Sequence, residues 1–542
     1  VYLDARNIPD QSVIETDVCI VGAGAAGIAL ALEFRQQSFR VTLLESGGLR
    51  MDERTQALQR GERAGHPAAA LDDTRLTGFG GTTSVWAGAC RPLDEVDLDS
   101  RDWIPHSGWP LTRAELNPYY ARAQAICQLG PFAYDVRDWQ TADRWPLPFD
   151  PARIRTDIFQ LSPPTRFGVT YRADVLRAPN ITTQLFANAV ELETDESGAR
   201  ATGVRIVTLA GNRYRVKARV FIVAAGGIET PRLLLVSNSR YPAGLGNRND
   251  LVGRFFMDHL RLESGTLRLH EPKRHRGLYR VHAPGAGPSL PPIEGVLALA
   301  EPLTRSERLA RAAFQFPPHW RATREFFGPG VTNLNHLARA LRMGHVPYRW
   351  LPRLATVARH IDQVALTMGR RLAQGIHTSD DLVVTCFGEQ VPNPDSRVVL
   401  SSARDALGRP QARLEWRLSE LDLYTLRRAS ELLAAETTRA GVGYFIPAPW
   451  LLGSSDLPTP RGGFHHLGTT RMHDDPARGV VDADCRLHDV SNVYVAGGSI
   501  FPTGGYANPT LTVVALAIRL ADHLRAQLTA APASVSLAQA RG

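Results

Sequence analysis

The segment Ile14 to Gly48, IETDVCIVGAGAAGIALALEFRQQSFRVTLLESGG, constrains the fold more than any other part of the chain. Val18 to Val21 is a short apolar run of strand type, and Gly22-x-Gly24-x-x-Gly27 follows it directly. Ala25 to Gln36 then has a helix former at nearly every position, and a second apolar run, Val41 to Leu44, ends in the acid Glu45. Strand, glycine turn, helix, strand and acid in that order form the dinucleotide-binding βαβ fingerprint. In it Gly22 makes the tight turn, Gly24 lets the backbone approach a pyrophosphate, and Gly27 allows the helix to pack closely on the strand. The start of the helix, at Ala25 and Ala26, offers unpaired N–H groups to the anion. Glu45, followed by Ser46, is placed to hydrogen-bond ribose hydroxyls and would repel a 2′-phosphate, which argues against an NADP-type ligand. A GxGxxG alone is a weak signal; here strand, helix and acid all stand in place around it.

At 542 residues the chain is too long for one ordinary domain and predicts two or three. An apolar fraction of 44% with 21% charged residues is that of a globular protein. The net charge of +8 invites a nucleic-acid reading. Yet all the basic residues except Lys217 and Lys273 are arginine, and they are scattered, so no nucleic-acid partner is expected. Five cysteines, an odd number with no C-x-x-C, indicate neither a disulfide framework nor a zinc site, and no metal is expected. Cys19, inside the first strand, reads as a small buried residue. No apolar run approaches the ~20 residues of a membrane span. No signal segment opens the chain, so the expected location is the cytoplasm, away from membranes.

After the first unit, Leu49 to Arg75 is polar with little periodicity and reads as a surface excursion. Gly78-Phe-Gly-Gly-Thr-Thr-Ser-Val-Trp-Ala-Gly88 then sets backbone N–H groups and hydroxyls beside Trp86, as a polar-ligand loop or a plain turn would. Thr112 and Glu115 form a capping box. Pro131 to Pro164 reads as irregular. Ile181 to Asn212 alternates around two turns, as hairpins do. Val220 to Val223 is another buried strand running through Ala224 and Ala225 to Gly226 and Gly227. Ile228 to Ser237 continues as a helix with Pro231 in its first turn. Glu263–Leu269 and Glu294–Leu299 predict antiparallel strands and a second domain. Arg321 to Gln374 is helical in composition, an amphipathic cover rather than a membrane anchor, because arginines interrupt every face. Strand patterns return at Asp381–Glu389, Arg397–Ser401 and Arg413–Arg417, and Leu421 to Ala440 is an amphipathic helix.

The C-terminal region is the second chemically dense stretch. Gly463-Phe-His465-His466-Leu-Gly-Thr-Thr-Arg-Met472 pairs two histidines before a Gly-Thr turn. Asn492 to Ala496 is a strand ending in Gly497 and Gly498, and FPTGGYANPT (Phe501–Thr510) leads into an apolar helix. Asn508 is placed as N-cap with Pro509 at the first helical position, a structural role compatible with a helix N-terminus that faces a ligand acquiring negative charge. Adjacent histidines are more often packed than catalytic, by a factor of roughly three.

These motifs together resemble the glucose–methanol–choline (GMC) oxidoreductases. GAGAAG with Glu45, GFGGTTSVWAG and AAGGIETPRLLL carry the resemblance, together with VGRFFMDH (Val252–His259), EQVPNPDSRVVL (Glu389–Leu400), HHLGTTRM and FPTGGYANPTLT. The resemblance implies an α/β fold, with a GxGxxG FAD-binding, Rossmann-like domain built from discontinuous segments and an α+β substrate domain on an antiparallel sheet. The expected division is 1–100, 181–259 and 455–530 for the FAD domain, 101–180 for a connecting segment, 260–454 for the substrate domain with a helical insertion at 321–374, and 531–542 for a tail. It implies FAD held by Gly22, Gly24, Ala25, Ala26, Gly27, Glu45 and Ser46, and by Gly80, Gly81, Thr82, Thr83, Ser84, Val85, Trp86 and Ala87. Val190, Ala225, Gly226, Gly498, Asn508, Pro509 and Thr510 complete that set. The HxxGT arrangement puts His465 at the catalytic histidine and NPTLT puts Asn508 at the second catalytic position; His466 and Asn508 are candidate substrate contacts. Asn508 and the Gly497-Gly498 pair are similar to pyranose oxidase-like sugar oxidoreductases. One departure matters: Val85 precedes Trp86 where pyranose oxidase has the histidine that attaches FAD, so non-covalent FAD is expected.

The expected reaction is oxidation of a secondary or primary alcohol to a carbonyl, with a sugar or glycoside ring hydroxyl as the leading substrate. Neutral His465 takes the hydroxyl proton as hydride leaves for flavin N5, and Asn508 orients the same oxygen. The helix after Pro509 meets the negative charge left on the flavin. Trp and Tyr near the site offer faces for a sugar to stack on. Oxidation of a simple aliphatic or aromatic alcohol, or a non-redox lyase on the same flavoprotein fold, are the alternatives. The partners expected are a small alcohol or sugar and oxygen or another electron acceptor.

Overall fold

A computed structural model describes residues 1–141, 144–163, 165–279, 291–317, 328–342, 349–376 and 381–530. Its organising layer is a six-stranded sheet in the order Tyr2–Asp4, Ile181–Leu185, Val41–Glu45, Val18–Val21, Val220–Val223, Val493–Val495. Every neighbouring pair is parallel, with Val21 opposite both Leu44 and Val223, and Val223 opposite Val495. The four adjacent strands from Val41–Glu45 to the edge strand Val493–Val495 are buried along their whole length, the continuous apolar pattern of a parallel sheet covered on both faces. The helices Ala25–Glu33 and Thr510–Ala530 pack against each other, so Leu30, Leu511, Val514 and Ile518 share one core with Ile20, Leu43 and Phe221. Each such side chain contributes about 1.5–3 kcal/mol by burial. The first helix stops at Glu33, short of the expected Gln36, because Phe34 caps it and Gln36 takes a left-handed φ of 61°.

The second large sheet is antiparallel. Its order is Gly443–Pro447, Leu260–Leu269, Leu382–Gly388, Ala312–Gln315, Ile293–Leu299, Ile154–Leu161, Ala89–Cys90, with Arg461–Gly462 pairing onto Leu260–Arg261. The helix Glu420–Ala440 lies against it, started by the Ser419/Asp422 capping box and ended by Gly441 in the left-handed region. Both fold elements expected from sequence, a parallel dinucleotide-type sheet and an antiparallel sheet, are therefore present.

Several expectations are corrected. The stretch Pro131–Pro164, read as irregular, supplies the strand Ile154–Leu161, paired from end to end with Ile293–Leu299. The excursion Leu49–Arg75 contributes Gly61–Gly65, a parallel partner of Pro410–Trp416. The helix after Val223 begins at Gly226 rather than Ile228, which moves Pro231 out of its first turn into the helix body. Of the helical insertion, Pro329–Arg342, Trp350–Arg359 and Ile361–Ile376 are helices, while 321–327 and 343–348, like the tail 531–542, lie outside the described residues. Arginine does not interrupt every face: Arg353 turns inward to Asn333 and Asp73, and Leu351, Leu354, Ile361 and Leu372 are exposed. Among the described residues no helix is long and apolar enough to cross a membrane.

Candidate active site

The parallel strands all deliver their carboxyl ends to one side, and a cavity of about 540 Å³ lies there. That is where an open parallel sheet binds ligands, since strand ends and helix starts converge. Gly22, Gly24, Ala25, Ala26, Glu45, Ser46, Ala225, Gly226 and Gly498 line it. The three glycines of the first turn divide the work. A Cβ on Gly22 would sit 2.6 Å from the Ala224 oxygen, and its φ of 107° is one that L-residues rarely adopt. A Cβ on Gly27 would sit 1.9 Å from the Gly22 oxygen, so this glycine sets the helix–strand distance and does not line the cavity. A Cβ on Gly24 would meet nothing within 4 Å and would project into open space.

Glu45 is buried and committed. Its Oε2 accepts from Ala23 N at 2.9 Å, and its Oε1 accepts from Gly47 N at 2.9 Å and Gly78 N at 3.0 Å. Burial pushes the carboxyl upward, and these backbone donors work against that push. The acid read as a ribose contact thus also ties three loops together at the cavity wall. In the Gly78–Gly88 loop, Gly81, Thr82, Thr83, Val85 and Trp86 line the cavity. Gly80, Ser84 and Ala87 do not: Gly80 N donates to Ala23 O at 2.8 Å, and a Cβ on Gly80 would meet Gly168 N at 2.7 Å, which fixes the loop from behind. Val190 is also off the cavity wall. Ala187, Asn188 and Ala189 line it instead, because Val190 lies further along the strand Asn188–Thr194 with its side chain buried.

His465 and His466 both line the cavity. Their segment runs antiparallel to Met257–Arg261: Met257 and Leu467 exchange backbone hydrogen bonds of 3.1 and 3.0 Å, and Leu260 pairs with Gly462. Between these pairings Phe464 adopts a left-handed φ of 64°. Asp258 holds that turn. Its Oδ1 accepts from His259 N, Gly463 N and His465 N at 2.8, 3.1 and 2.8 Å, and its Oδ2 accepts from Phe464 N at 3.0 Å. Burial raises the Asp258 carboxyl to about 6 despite those donors. The turn brings His465 Nδ1 within 2.8 Å of His259 Nδ1, with the rings nearly perpendicular at 86°. Burial, then His259, Arg261 and His466, hold the His465 imidazole well below the usual histidine value. Burial lowers His466 to about 3, with Arg75 adding to the effect, and the ring packs on Phe256 at 5.6 Å.

Asn508, Pro509 and Thr510 also line the cavity. Asn508 is not the N-cap that its sequence position predicts. Val513 N bonds the Pro509 oxygen at 2.8 Å, so the cap is Pro509, and the Asn508 amide instead donates to Ala89 O at 3.1 Å. The helix Thr510–Ala530 still directs its first N–H groups toward the cavity. The preceding turn is anchored from beneath: Trp109 Nε1 donates to Thr503 Oγ1 at 2.8 Å, which donates to the Asp97 oxygen at 2.6 Å. Tyr506 is buried with its hydroxyl on Asp157 and Asp94, and it does not reach the cavity, so it offers no stacking face; Trp86 and Phe464 do line it. Burial alone would raise Asp94, but Arg91, Arg155 and Arg311 hold its carboxyl far below the usual range.

Sequence reading assigned no role to His259, Asp258 or Arg75. His259 and Asp258 lie about two hundred residues from the HHLGT segment, although VGRFFMDH stood out as a motif. Arg75, at the cavity wall and paired with Glu229 at 3.2 Å, sits in a stretch with no pattern.

The residues fit a flavin dinucleotide. The space over Gly24 is what a pyrophosphate needs, and Ile28 N is the first helical N–H to find a partner, at Gly24 O, leaving those of Ala25 to Gly27 for an anion. Fold and cavity therefore define a dinucleotide-cofactor oxidoreductase with two histidines at the cavity wall. Comparison with known proteins points the same way. Residues 169–261 and 392–517 match the two models described as GMC oxidoreductase. Both GMC oxidoreductase models thus match this chain, and the match supports FAD as its cofactor. It is 27% identical to 2-methyl-1,2-propanediol dehydrogenase of Mycolicibacterium austroafricanum, over 95% of this chain and 96% of that one. It is 26% identical to the fructose dehydrogenase large subunit of Gluconobacter japonicus, over 95% and 98%. Among solved structures it shares the fold of a formate oxidase, with a TM-score of 0.56 at 18% identity over 96% of this chain and 99% of that one.

Proposed function

We propose that this oxidoreductase of CH–OH groups oxidises a ring hydroxyl of a sugar or glycoside to a carbonyl, with His465 as the base. The observation that supports it is convergence: His465, His466, Asn508 and the start of the helix Thr510–Ala530 line the same cavity as the Gly22–Gly24 turn and Glu45. When bound, FAD supplies the two-electron acceptor for the substrate carbon. The chain's own residues do the rest. His465 is neutral near pH 7 and takes the hydroxyl proton. Asn508, its amide steadied by the Ala89 oxygen, hydrogen-bonds the same substrate oxygen and orients the C–H bond. The free N–H groups at Thr510, Leu511 and Thr512 stabilise negative charge that develops across the cavity. His466 contacts substrate.

Cofactor retention rests on the cradle. Gly24, Glu45 and the loop from Gly81 to Trp86 hold FAD without a covalent bond, because Val85, at the cavity wall, has no nucleophilic atom. The FAD domain is assembled from 1–100, 181–259 and 455–530, and the substrate domain spans 260–454. A second reading, oxidation of a simple aliphatic alcohol, draws support from the diol dehydrogenase relative. Mixing the yellow holoprotein anaerobically with a panel of sugars, glycosides and aliphatic alcohols separates the two. Bleaching by sugars at micromolar to millimolar concentration supports the first; bleaching by aliphatic alcohols alone overturns it, and no bleaching by any of them points to the lyase alternative.

A further inference from the structure

We infer that His259 is a positioning residue that fixes the tautomer of His465, placing the proton of that ring on Nδ1 and leaving Nε2 as a bare acceptor at the cavity wall. The inference rests on the reading of His465 as the base. It follows from hydrogen-bond valence along a three-member chain.

The two Nδ1 atoms are 2.8 Å apart, so one carries a hydrogen and the other accepts it. Which one donates is decided at the far side of His259. There Nε2 lies 3.4 Å from the Gly504 oxygen, and the carbonyls of Gly504 and Gly505 both act on the ring as acceptors. A carbonyl only accepts, so the His259 hydrogen belongs on Nε2. A neutral imidazole has one N–H, and His259 is neutral because burial lowers it to about 4. Its Nδ1 is then the acceptor, and the shared hydrogen belongs to His465 Nδ1. The opposite order would set the lone pair of His259 Nε2 against two carbonyl lone pairs, with no donor in between. The charged and titratable groups acting on the pair are Arg261, Glu389, Asp258 and His466. Asp258, next to His259 in sequence, is spent on four backbone donors and supplies no carboxylate to either ring.

The fold makes room for this pair with two glycines. A Cβ on Gly463 would approach His465 Nδ1 to 3.2 Å, and one on Gly504 would approach His259 Nε2 to 3.4 Å. His259 is 2% exposed and off the cavity wall, so it reaches substrate only through His465. Among the described residues His465 Nε2 has no hydrogen-bond partner, as a base awaiting a hydroxyl should be.

The test uses the FAD-loaded full chain. Long-range ¹H–¹⁵N spectra of ¹⁵N-histidine protein, assigned with His465→Gln, are expected to give His465 a protonated-type Nδ1 and an unprotonated-type Nε2 at pH 7. The reverse pattern overturns the proposal. His259→Leu removes the acceptor and should slow anaerobic flavin reduction by at least about tenfold at saturating substrate, with FAD content and substrate affinity kept. His259→Asn, whose Oδ1 can stand where Nδ1 stood, should recover most of that rate and restore the tautomer. Equal rates in the Leu variant and wild type overturn the proposal even if the spectra agree. If the tautomer is as inferred while His465→Ala reduces the flavin normally, the base reading has failed and the positioning of the ring stands.

Discussion

Gly24 and Gly27 belong to one short turn, yet the structure predicts that an alanine at each fails in a different way. At Gly27 the new methyl would lie 1.9 Å from the Gly22 carbonyl oxygen and 3.0 Å from its carbon. These are backbone atoms at the end of a central strand, so relief requires the helix Ala25–Glu33 to move away from the sheet. Overpacking of a core costs about 1–3 kcal/mol, and a clash with backbone belongs at or above the upper end. At Gly24 the methyl meets nothing within 4 Å, and φ of −81° is accessible to alanine. The cost to the apoprotein is the loss of a good N-cap residue, under about 1 kcal/mol. The methyl does occupy the space where the backbone must approach a pyrophosphate, so cofactor retention should fall steeply. Denaturant unfolding of apoprotein and holoprotein, with flavin content read by absorbance, separates the two effects. Gly27→Ala should lower apoprotein stability by about 3 kcal/mol, whereas Gly24→Ala should leave it nearly unchanged and yield mostly apoprotein. Full flavin content in Gly24→Ala, or wild-type stability in Gly27→Ala, refutes the division of roles.

Asp258→Asn should cost about 2–3 kcal/mol, because an amide nitrogen in place of either carboxylate oxygen faces a backbone donor of the Gly463–His465 turn; thermal unfolding measures it, and the flavin should reduce more slowly with FAD still bound. The contribution of His259 and His466 to stability should fall as pH drops from about 6.5 toward 4, against an opposite contribution from Asp258, whose raised carboxyl takes up its proton first in the folded chain. His259 is held near 4 and His466 near 3 in the folded chain, so below the ordinary histidine value of about 6.5 the unfolded state binds the extra protons. Urea midpoints of wild type and His259→Asn across that range isolate the His259 share: relative to wild type, the variant should gain stability as pH falls. Acid precipitation should release all FAD into the supernatant; colour that stays with the pellet would mean a covalent link that Val85 cannot make.

The parallel sheet was legible because its central strands are short, apolar on both faces and followed by glycines, a pattern with few alternatives. Its partner sheet was harder to read. Ile154–Leu161 carries Arg155, Thr156 and Asp157 in its first half, and those polar residues stay inside the fold only because Asp94 and neighbouring side chains pair with them, which no local pattern records. Asn508 and Pro509 read correctly as a helix start, but the cap fell one residue later because the Asn508 amide is drawn to Ala89, more than four hundred residues away in sequence. The same distance problem hid His259. Its motif was visible, but its partner is set by strand pairing between Met257–Arg261 and Arg461–Leu467. Glu45 was read for a ligand role, and its three backbone bonds emerge only once the Gly78 loop folds back over it.

If His465 is the base for alcohol oxidation in this cavity, removing its imidazole must slow flavin reduction. Stopped-flow reduction of the anaerobic holoprotein by its best sugar or alcohol substrate, wild type against His465→Ala, tests it most directly. The variant should keep normal FAD content and lose at least about a hundredfold in the limiting reduction rate. A variant that retains FAD and bleaches at the wild-type rate would contradict it.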